Sequence, residues 1–168
     1  MAAPHELIEW VRKLQAESAA RSAWVDAPRA DWLPYLAVMR GITREAILKA
    51  VCECAVEVGG TVEGADRAFA VLRDGTTRGS GAFVTVEAEF ADLRAAITEQ
   101  RAKSAPLAPW MTWVELVLEL ARATARGNPM VGIALALKTL AALRSKIGGR
   151  PGHTDLVARL RDKLTLAM

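Results

Sequence analysis

A long apolar stretch at residues 128–146, NPMVGIALALKTLAALRSK, constrains the fold of this chain more than any other feature. Asn128 is a favourable N-cap, and Pro129 is tolerated at the first helical position, where its missing N–H would be unpaired in any case. Gly148 and Gly149 can adopt the left-handed conformation that ends a helix. Apolar residues recur at helical spacing and extend around most of the circumference: Met130, Val131, Ile133, Ala134, Leu135, Leu137, Leu140, Ala141, Ala142 and Leu143. We therefore predict a buried central helix near residues 129–146.

This helix does not predict a membrane span, because the charge-free run ends at Lys138, well short of about 20 residues. The chain has 168 residues, of which 52% are hydrophobic and 24% charged, a composition typical of globular proteins. Only 5% are aromatic, so Ala, Leu and Val supply most of the apolar surface and favour closely packed helices. We predict an all-α, single-domain bundle over residues 1–168, with about seven to eight helices around the central one.

The other predicted helices follow from apolar residues at helical spacing. The first helix covers residues 4–18. Whether it continues to Trp24 stays open, as does whether residues 1–24 lie at the periphery of the bundle. The remaining ones cover residues 31–39, 44–58, 61–73, 85–103, 110–126 and 155–166. Asp31, Thr43 and Thr154 are the expected N-caps of three of them.

Two segments between these helices are less regular. Residues 74–82, DGTTRGSGA, predict a flexible loop because Gly and small polar residues dominate. Residues 83–90, FVTVEAEF, alternate with period two, but a lone strand would have no partner. We therefore assign residues 85–90 to the helix that begins near Thr85.

The net charge of +3 is unevenly distributed, since residues 138–168 carry seven basic and two acidic residues. One interpretation is a solvated surface with cations near helix C-termini. The other is an anionic partner, such as nucleic acid, an acidic protein or a membrane surface. No aromatic residues are interleaved with these cations, so nucleic-acid binding has little support.

Cys52 and Cys54 lie two residues apart on a predicted helix, where their side chains point in different directions and cannot easily form a disulfide. His5, Glu6 and Glu9 interrupt the N-terminal segment, and no signal peptide is predicted there. We expect a cytoplasmic protein without a disulfide framework.

Candidate catalytic groups are few. Cys52 and Cys54 fall on or beside an apolar face, which favours small core residues over nucleophiles. His5 and His153 lie in a terminal segment and a turn, and RGSG at 78–81 has neither the strand nor the GK[ST] ending of a phosphate loop. The sequence thus predicts no catalytic, cofactor-binding or metal-binding residue, and it leaves open whether the protein is an enzyme.

Trp residues are the strongest candidates for contact with a partner, because Trp is enriched at interface anchors. Trp110 and Trp113 lie on a helical stripe and are expected in the core. Trp24 and Trp32 flank a turn, DAPRAD, and a core position and a partner contact are about equally expected for them.

Three segments carry a family resemblance: AVCECAVEV at 50–58, ADRAFAVLRDG at 65–75 and ARGNPM at 125–130. Together they resemble an all-helical, Ala-rich family of bacterial immunity proteins of polymorphic toxin systems. Cys54-Ala55, Arg67-Ala68 and Arg73-Asp74-Gly75 occupy the places of the family's Cys-Ala, Arg-x-Ala and Gly-turn motifs. Ala65-Asp66-Arg67 replaces the family's Pro-Arg pair, and Leu72-Arg73 replaces its Trp.

The resemblance implies stoichiometric binding and occlusion of a toxin, without catalysis. Asp66, Arg67 and Arg73, together with Trp24 and Trp32, are then the expected partner-binding residues. Three other functions stay open: a self-assembling adaptor or scaffold, a small helical enzyme or ligand-binding bundle with a pocket between the Trp110 helix and the central helix, and nucleic-acid binding through the basic C-terminal end.

Overall fold

Helices form nearly all of the computed structural model, which describes residues 3–13, 19–127, 130–148 and 152–167. Of residues 19–22, 144–148 and 152–155 it describes the backbone alone. The α-helices of the described residues are α1 (His5–Lys13), α2 (Ala19–Asp26), α3 (Leu33–Met39), α4 (Arg44–Gly59), α5 (Asp66–Arg78), α6 (Val86–Glu89), α7 (Ala91–Ala102), α8 (Pro109–Ala125), α9 (Met130–Gly148) and α10 (Gly152–Leu166). Two 3₁₀ turns, Ala30–Trp32 and Gly79–Phe83, precede α3 and follow α5. The described residues contain no strand, which confirms the predicted all-α fold.

The predicted central helix is α9, which packs against α4, α8, α10 and the first 3₁₀ turn. Its buried stripe is fully enclosed, with no exposure at Met130, Ile133, Leu137 and Leu140. These residues belong to one hydrophobic core cluster that includes residues from α1 to α10. Part of the circumference of α9 is nevertheless exposed. Val131 and Leu135 are 53% and 43% exposed, and Ala142 is also exposed. The predicted cap, Asn128-Pro129, lies outside the described residues.

Capping residues define α4 and α8 as predicted. The Thr43 hydroxyl accepts a hydrogen bond from the N–H of Ala46 at 3.2 Å, which pairs one of the unsatisfied donors at the start of α4. Gly60 follows the end of α4 with a φ of +59°. Pro109 begins α8, where it does not interrupt the helical hydrogen bonds. None of the described helices has the length and apolarity needed to span a bilayer.

The predicted loop at 74–82 is wrong, because α5 continues to Arg78 and a 3₁₀ turn follows directly. Gly75 lies inside the helix and is buried. A Cβ atom at this position would lie 2.6 Å from the Sγ of Cys52 on α4. Gly75 is therefore required for close packing of two helices and does not mark a turn. The start of α5 also differs from the prediction, at Asp66 instead of Thr61.

The helix predicted at 85–103 is divided into α6 and α7 at Phe90. Phe90 has a φ of −99° and a ψ of 12°, and its side chain is 2% exposed. Val86, Phe90 and Ile97 are buried as predicted, so the break places Phe90 in the core without turning the others outward. This division is one reason why the helices outnumber the predicted seven to eight.

In the N-terminal part, α1 covers the described portion of the first predicted helix, and Leu7 is its buried residue. Residues 14–18 lie outside the described residues, and α2 begins at Ala19. Asp31 does not cap a helix, since it lies within the 3₁₀ turn with its carboxylate buried. The last helix, α10, begins at Gly152, before the expected cap Thr154.

Candidate protein-binding surface

The two thiols lie in the core between helices. Cys52 and Cys54 are unpaired and show no exposure. Burial raises the pKa of each thiol from 9.0 to about 12, because the apolar surroundings disfavour the thiolate. A protonated, enclosed thiol is a poor nucleophile. The structure thus places both residues where the sequence analysis expects small core residues.

Other chemical candidates show no convergence in the part of the chain that the structure describes. His5 forms an exposed pair with Glu9, with 3.1 Å between Nε2 and Oε1. Among the described residues, no group of three or more His, Cys, Asp and Glu side chains is arranged to hold a metal ion. The side chain of His153 lies outside the described residues.

Trp24 and Trp32 are both core residues, each 6% exposed. Arg40 covers the ring of Trp24, with its guanidinium carbon 5.2 Å from the ring centroid. The Trp32 ring packs against Trp10, with 5.5 Å between the centroids. In this structure neither Trp24 nor Trp32 lies on an open surface, and the partner contact predicted for them stays a prediction.

Beside these rings lies the one buried charged residue of the described core, Asp31, which is 2% exposed. Arg29 donates to both of its carboxylate oxygens, from Nε at 3.1 Å and from Nη2 at 2.9 Å. Lys138 on α9 lies 3.9 Å away. Arg29 also donates to Glu6, so this group connects α1 to the central helix. We interpret it as a structural cluster.

Arg67, Arg73 and Asp66 lie on the exposed side of α5. Arg67 donates to the Asp92 carboxylate at 3.0 Å and to the backbone carbonyl of Glu89, and its guanidinium lies over the Phe90 ring. The hydrogen bond from Arg67 lowers the pKa of Asp92. Arg67 therefore stabilises the break between α6 and α7. Arg73 covers the Phe69 ring at 5.9 Å from the centroid, and Asp66 begins the helix, where a carboxylate favours the dipole.

An open groove of about 610 Å³ runs along the same helix, and we call it the α5 groove. One wall is formed by α5 itself, and the other by the 3₁₀ turn and the start of α6. Val84, the second most exposed large apolar residue at 80%, lies at its rim. The residues lining it are Ala70, Val71, Asp74, Arg78, Gly81, Ala82, Val84, Thr85 and Glu89. An Asp74–Arg78 ion pair of 2.6 Å fixes one end.

A second opening, which we call the α8–α9 cleft, lies between the two longest helices and has a volume of about 370 Å³. Its lining residues are Arg101, Leu107, Thr112, Glu115, Leu116, Glu119, Leu135, Ala136 and Thr139. The sequence analysis places the pocket of the ligand-binding alternative between these helices. Arg101 on α7 holds Glu115 through Nη2, at 2.6 and 2.7 Å from its two oxygens. Arg122 of α8 likewise pairs with a residue of another helix, Glu87 of α6.

Two cations of the basic C-terminal end, Lys163 and Arg159, pair with acidic residues of α4. Lys163 pairs with Glu57 and Glu53, and Arg159 pairs with Glu57 at 3.3 Å. Arg161 donates to the carbonyl of Trp24 at 2.9 Å. These contacts tie α10 to the core and support the structural interpretation of the charge excess. The side chains of Arg144, Lys146 and Arg150 lie outside the described residues.

The sequence analysis did not expect the exposure of Val131 and Leu135. The sequence contains a signal for this exposure, because the charged residue Lys138 lies on the same side of α9 as Val131 and Leu135 when successive residues are placed 100° apart.

No protein-family model, curated protein or solved structure matches this chain.

Proposed function

We propose that this chain is a non-catalytic protein-interaction domain of a bacterial conflict system, most simply a cytoplasmic immunity protein that binds and occludes a toxin. The observation that carries the proposal is the coincidence on α5 of two independent features. The resemblance selects Asp66, Arg67 and Arg73 on this helix, and other residues of the same helix line the α5 groove. Occlusion requires a rigid surface that a partner can cover, and α5 is held on both α4 and α8.

Residues of α5 and of the α5 groove have the composition of an interface. Val84 offers an exposed apolar side chain, and Arg73 offers a guanidinium already ordered over an aromatic ring. Arg is enriched at binding hot spots, and complementary charge accelerates association. Arg67 contributes indirectly in this proposal, because its contacts hold the wall that Glu89 belongs to.

Co-expression with the protein encoded by the adjacent gene tests this proposal. We expect that gene to inhibit growth and this chain to relieve the inhibition through a one-to-one complex. Arg73→Glu and Val84→Asp should each weaken the complex at least tenfold. Arg12→Glu on α1 and Val25→Asp on α2 are matched controls at exposed sites and should retain binding.

Three results would contradict the proposal: no growth inhibition by any neighbouring gene, no relief by this chain, or equal losses in the α5 variants and their controls. The self-assembling scaffold alternative makes a different prediction. It requires an oligomer in light scattering of the purified chain, and a strict monomer at high concentration excludes it.

A further inference from the structure

Trp110 lies in the first turn of α8 and belongs to none of the sites described above. The sequence analysis expects Trp110 and Trp113 in the core. Trp113 is 2% exposed, as expected, whereas Trp110 is only half-buried. Part of a large aromatic side chain is therefore open to solvent where α8 begins.

A cavity of about 440 Å³ opens beside this side chain, and we call it the Trp110 cavity. Its walls are the turn that connects α4 to α5 and the segment that begins α8. The lining residues are Val62, Glu63, Gly64, Ala108, Pro109 and Trp110. Gly64 has a φ of +81° and lies against the indole, since a Cβ atom there would be 3.1 Å from the Cδ1 of Trp110. The turn is thus packed directly against the aromatic side chain.

The other Trp rings of this protein are covered from within the chain. Arg guanidinium carbons lie 5.1 to 5.9 Å from the centroids of four aromatic rings, which are those of Trp24, Trp32, Phe69 and Phe90. Trp10 packs on Trp32, and Trp113 packs on Phe69. In the described part of the chain, Trp110 alone among the Trp residues has neither a cation nor a second ring against its indole.

Glu63 supplies the only charged side chain in the lining of the Trp110 cavity. It is exposed and, among the residues that the structure describes, has no ion-pair or hydrogen-bond partner. The face of an indole ring carries negative partial charge and attracts cations that come within about 6 Å of its centroid. An aromatic face and a carboxylate, with no cation in the lining to compete, therefore favour a positively charged ligand.

The same lining favours one kind of cation. Glu63 is its only side-chain hydrogen-bond acceptor, whereas Val62, Ala108 and Pro109 are apolar. A primary ammonium group has three N–H donors to satisfy and is strongly hydrated, but a quaternary ammonium group has no donor and presents methyl groups. The quaternary group loses less on leaving water for such a cavity.

We propose that the Trp110 cavity binds a quaternary ammonium group, which lies over the Trp110 ring while Glu63 balances its charge. The group is carried by a small organic molecule or by a trimethylated Lys of a polypeptide, since both present the same chemistry. This inference goes beyond the function proposed above and does not rest on it, because the Trp110 cavity and the α5 groove have no lining residue in common.

The test titrates the full chain with choline and with its neutral isostere, in which a tert-butyl group replaces the trimethylammonium group. The NMR signal of the Trp110 indole N–H, assigned from its absence in Trp110→Leu, reports binding. We expect choline to shift this signal saturably and to bind about fivefold more tightly than the isostere, which is the size of a moderate cation–π contribution. Equal affinities of the two compounds, or no saturable shift, would overturn the proposal.

Two matched pairs of variants locate the ligand, with saturation transfer from the protein to the choline methyl protons as the readout. Trp110→Leu should abolish the transfer, and Trp10→Leu, at the other half-buried Trp, should retain it. Glu63→Gln should weaken choline binding by about threefold, and Glu9→Gln, at an exposed carboxylate on α1, should not. Circular dichroism checks the fold of the Trp variants, and the exposed Glu pair decides the proposal if they do not fold. Equal losses within either pair would contradict it.

A peptide with one trimethylated Lys and its unmodified twin distinguish the two carriers. Tighter binding of the trimethylated peptide than of choline assigns the group to a polypeptide, and binding no tighter than that of choline assigns it to a small molecule. Equal, measurable affinity of the two peptides would overturn the preference for a quaternary group.

Discussion

Gly75 on α5 lies directly against Cys52 on α4, with room for a hydrogen atom and no more. A Cβ atom at Gly75 would lie 2.6 Å from the Cys52 Sγ and 3.3 Å from the Phe83 ring. We predict that Gly75→Ala destabilises the protein by up to about 2 kcal/mol. Overpacking a buried contact costs about 1–3 kcal/mol, and the higher helix propensity of Ala returns about 1 kcal/mol. Urea unfolding followed by circular dichroism measures the difference.

The matched control is Gly81→Ala, where the nearest side-chain atoms to the added Cβ are 3.8 Å away. This variant should unfold near the wild-type midpoint. Cys52→Ala in the Gly75→Ala background should recover part of the loss, because it removes the atom that clashes. A Gly75→Ala protein as stable as wild type would show that α4 and α5 can separate without cost.

This glycine also shows where sequence reasoning reaches its limit. The sequence alone does not distinguish a Gly in a loop from a Gly at a contact between helices. The segment DGTTRGSGA also has the composition of a loop. Thr43 was sufficient to predict the start of α4, because a cap acts on its own helix. The packing of Gly75 depends on Cys52, 23 residues earlier in the chain. Such long-range contacts are invisible to local patterns.

The buried Asp31–Arg29 pair provides a second prediction. We expect Asp31→Asn to destabilise the protein by about 2–4 kcal/mol, because breaking a buried pair leaves a guanidinium without its counter-ion. The effect should be at the lower end, since the Arg29 side chain is 32% exposed and retains Glu6. Chemical denaturation at pH 7 is the measurement.

Asp92→Asn is the control for this change, because Asp92 also pairs with an Arg but its side chain is 66% exposed. Exposed pairs contribute little to stability, so Asp92→Asn should cost much less than Asp31→Asn. Losses of equal size in the two Asn variants would mean that burial of Asp31 has no energetic consequence.

The candidate surfaces were less accessible to sequence reasoning than the helices. Trp24 and Trp32 have the residue type of an interface anchor, but their rings are needed to fill the core around α2 and α3. Val131 and Leu135 have the residue type of a core position. They are exposed because the helices that pack against α9 contact its other sides and leave this one open. Residue type alone does not decide which apolar side chains remain exposed, because that depends on how many neighbours a helix has.

The thiols provide a prediction on pH. The pKa of each thiol is about 12 in the folded state, compared with an ordinary value of 9.0. As the pH rises, the thiols of the unfolded chain therefore lose their protons before those of the folded chain. Stability contributed by the protonated thiols is therefore complete below pH 9 and decreases between pH 9 and 12. Each thiol should contribute a slope of about 1.4 kcal/mol per pH unit in that range. Denaturation at pH 8, 9, 10 and 11 measures it.

The Cys52→Ala/Cys54→Ala protein should lose this part of the alkaline slope, whatever its stability at pH 8. The same burial predicts that a thiol reagent labels the native protein at pH 8 no faster than the chain opens, and that urea removes the protection. Rapid labelling in native buffer would contradict the burial of both side chains.

The last prediction concerns the contact between α4 and α10. Glu57 accepts hydrogen bonds from Lys163 and Arg159, and the bond from Lys163 is the main reason that its pKa is lowered. A lowered carboxyl pKa stabilises the folded state above the ordinary value of 4.5, and this stabilisation is lost as the pH falls below it. We expect Glu57→Gln to cost about 0.5–1 kcal/mol at pH 7 and less at pH 3. Glu99→Gln, in an exposed helical pair with Lys103, should cost less, about 0.3 kcal/mol at pH 7. Urea midpoints of both variants and the wild type at pH 7 and pH 3 make the comparison, and a Glu57→Gln deficit of the same size at both pH values would assign the loss to packing instead of charge.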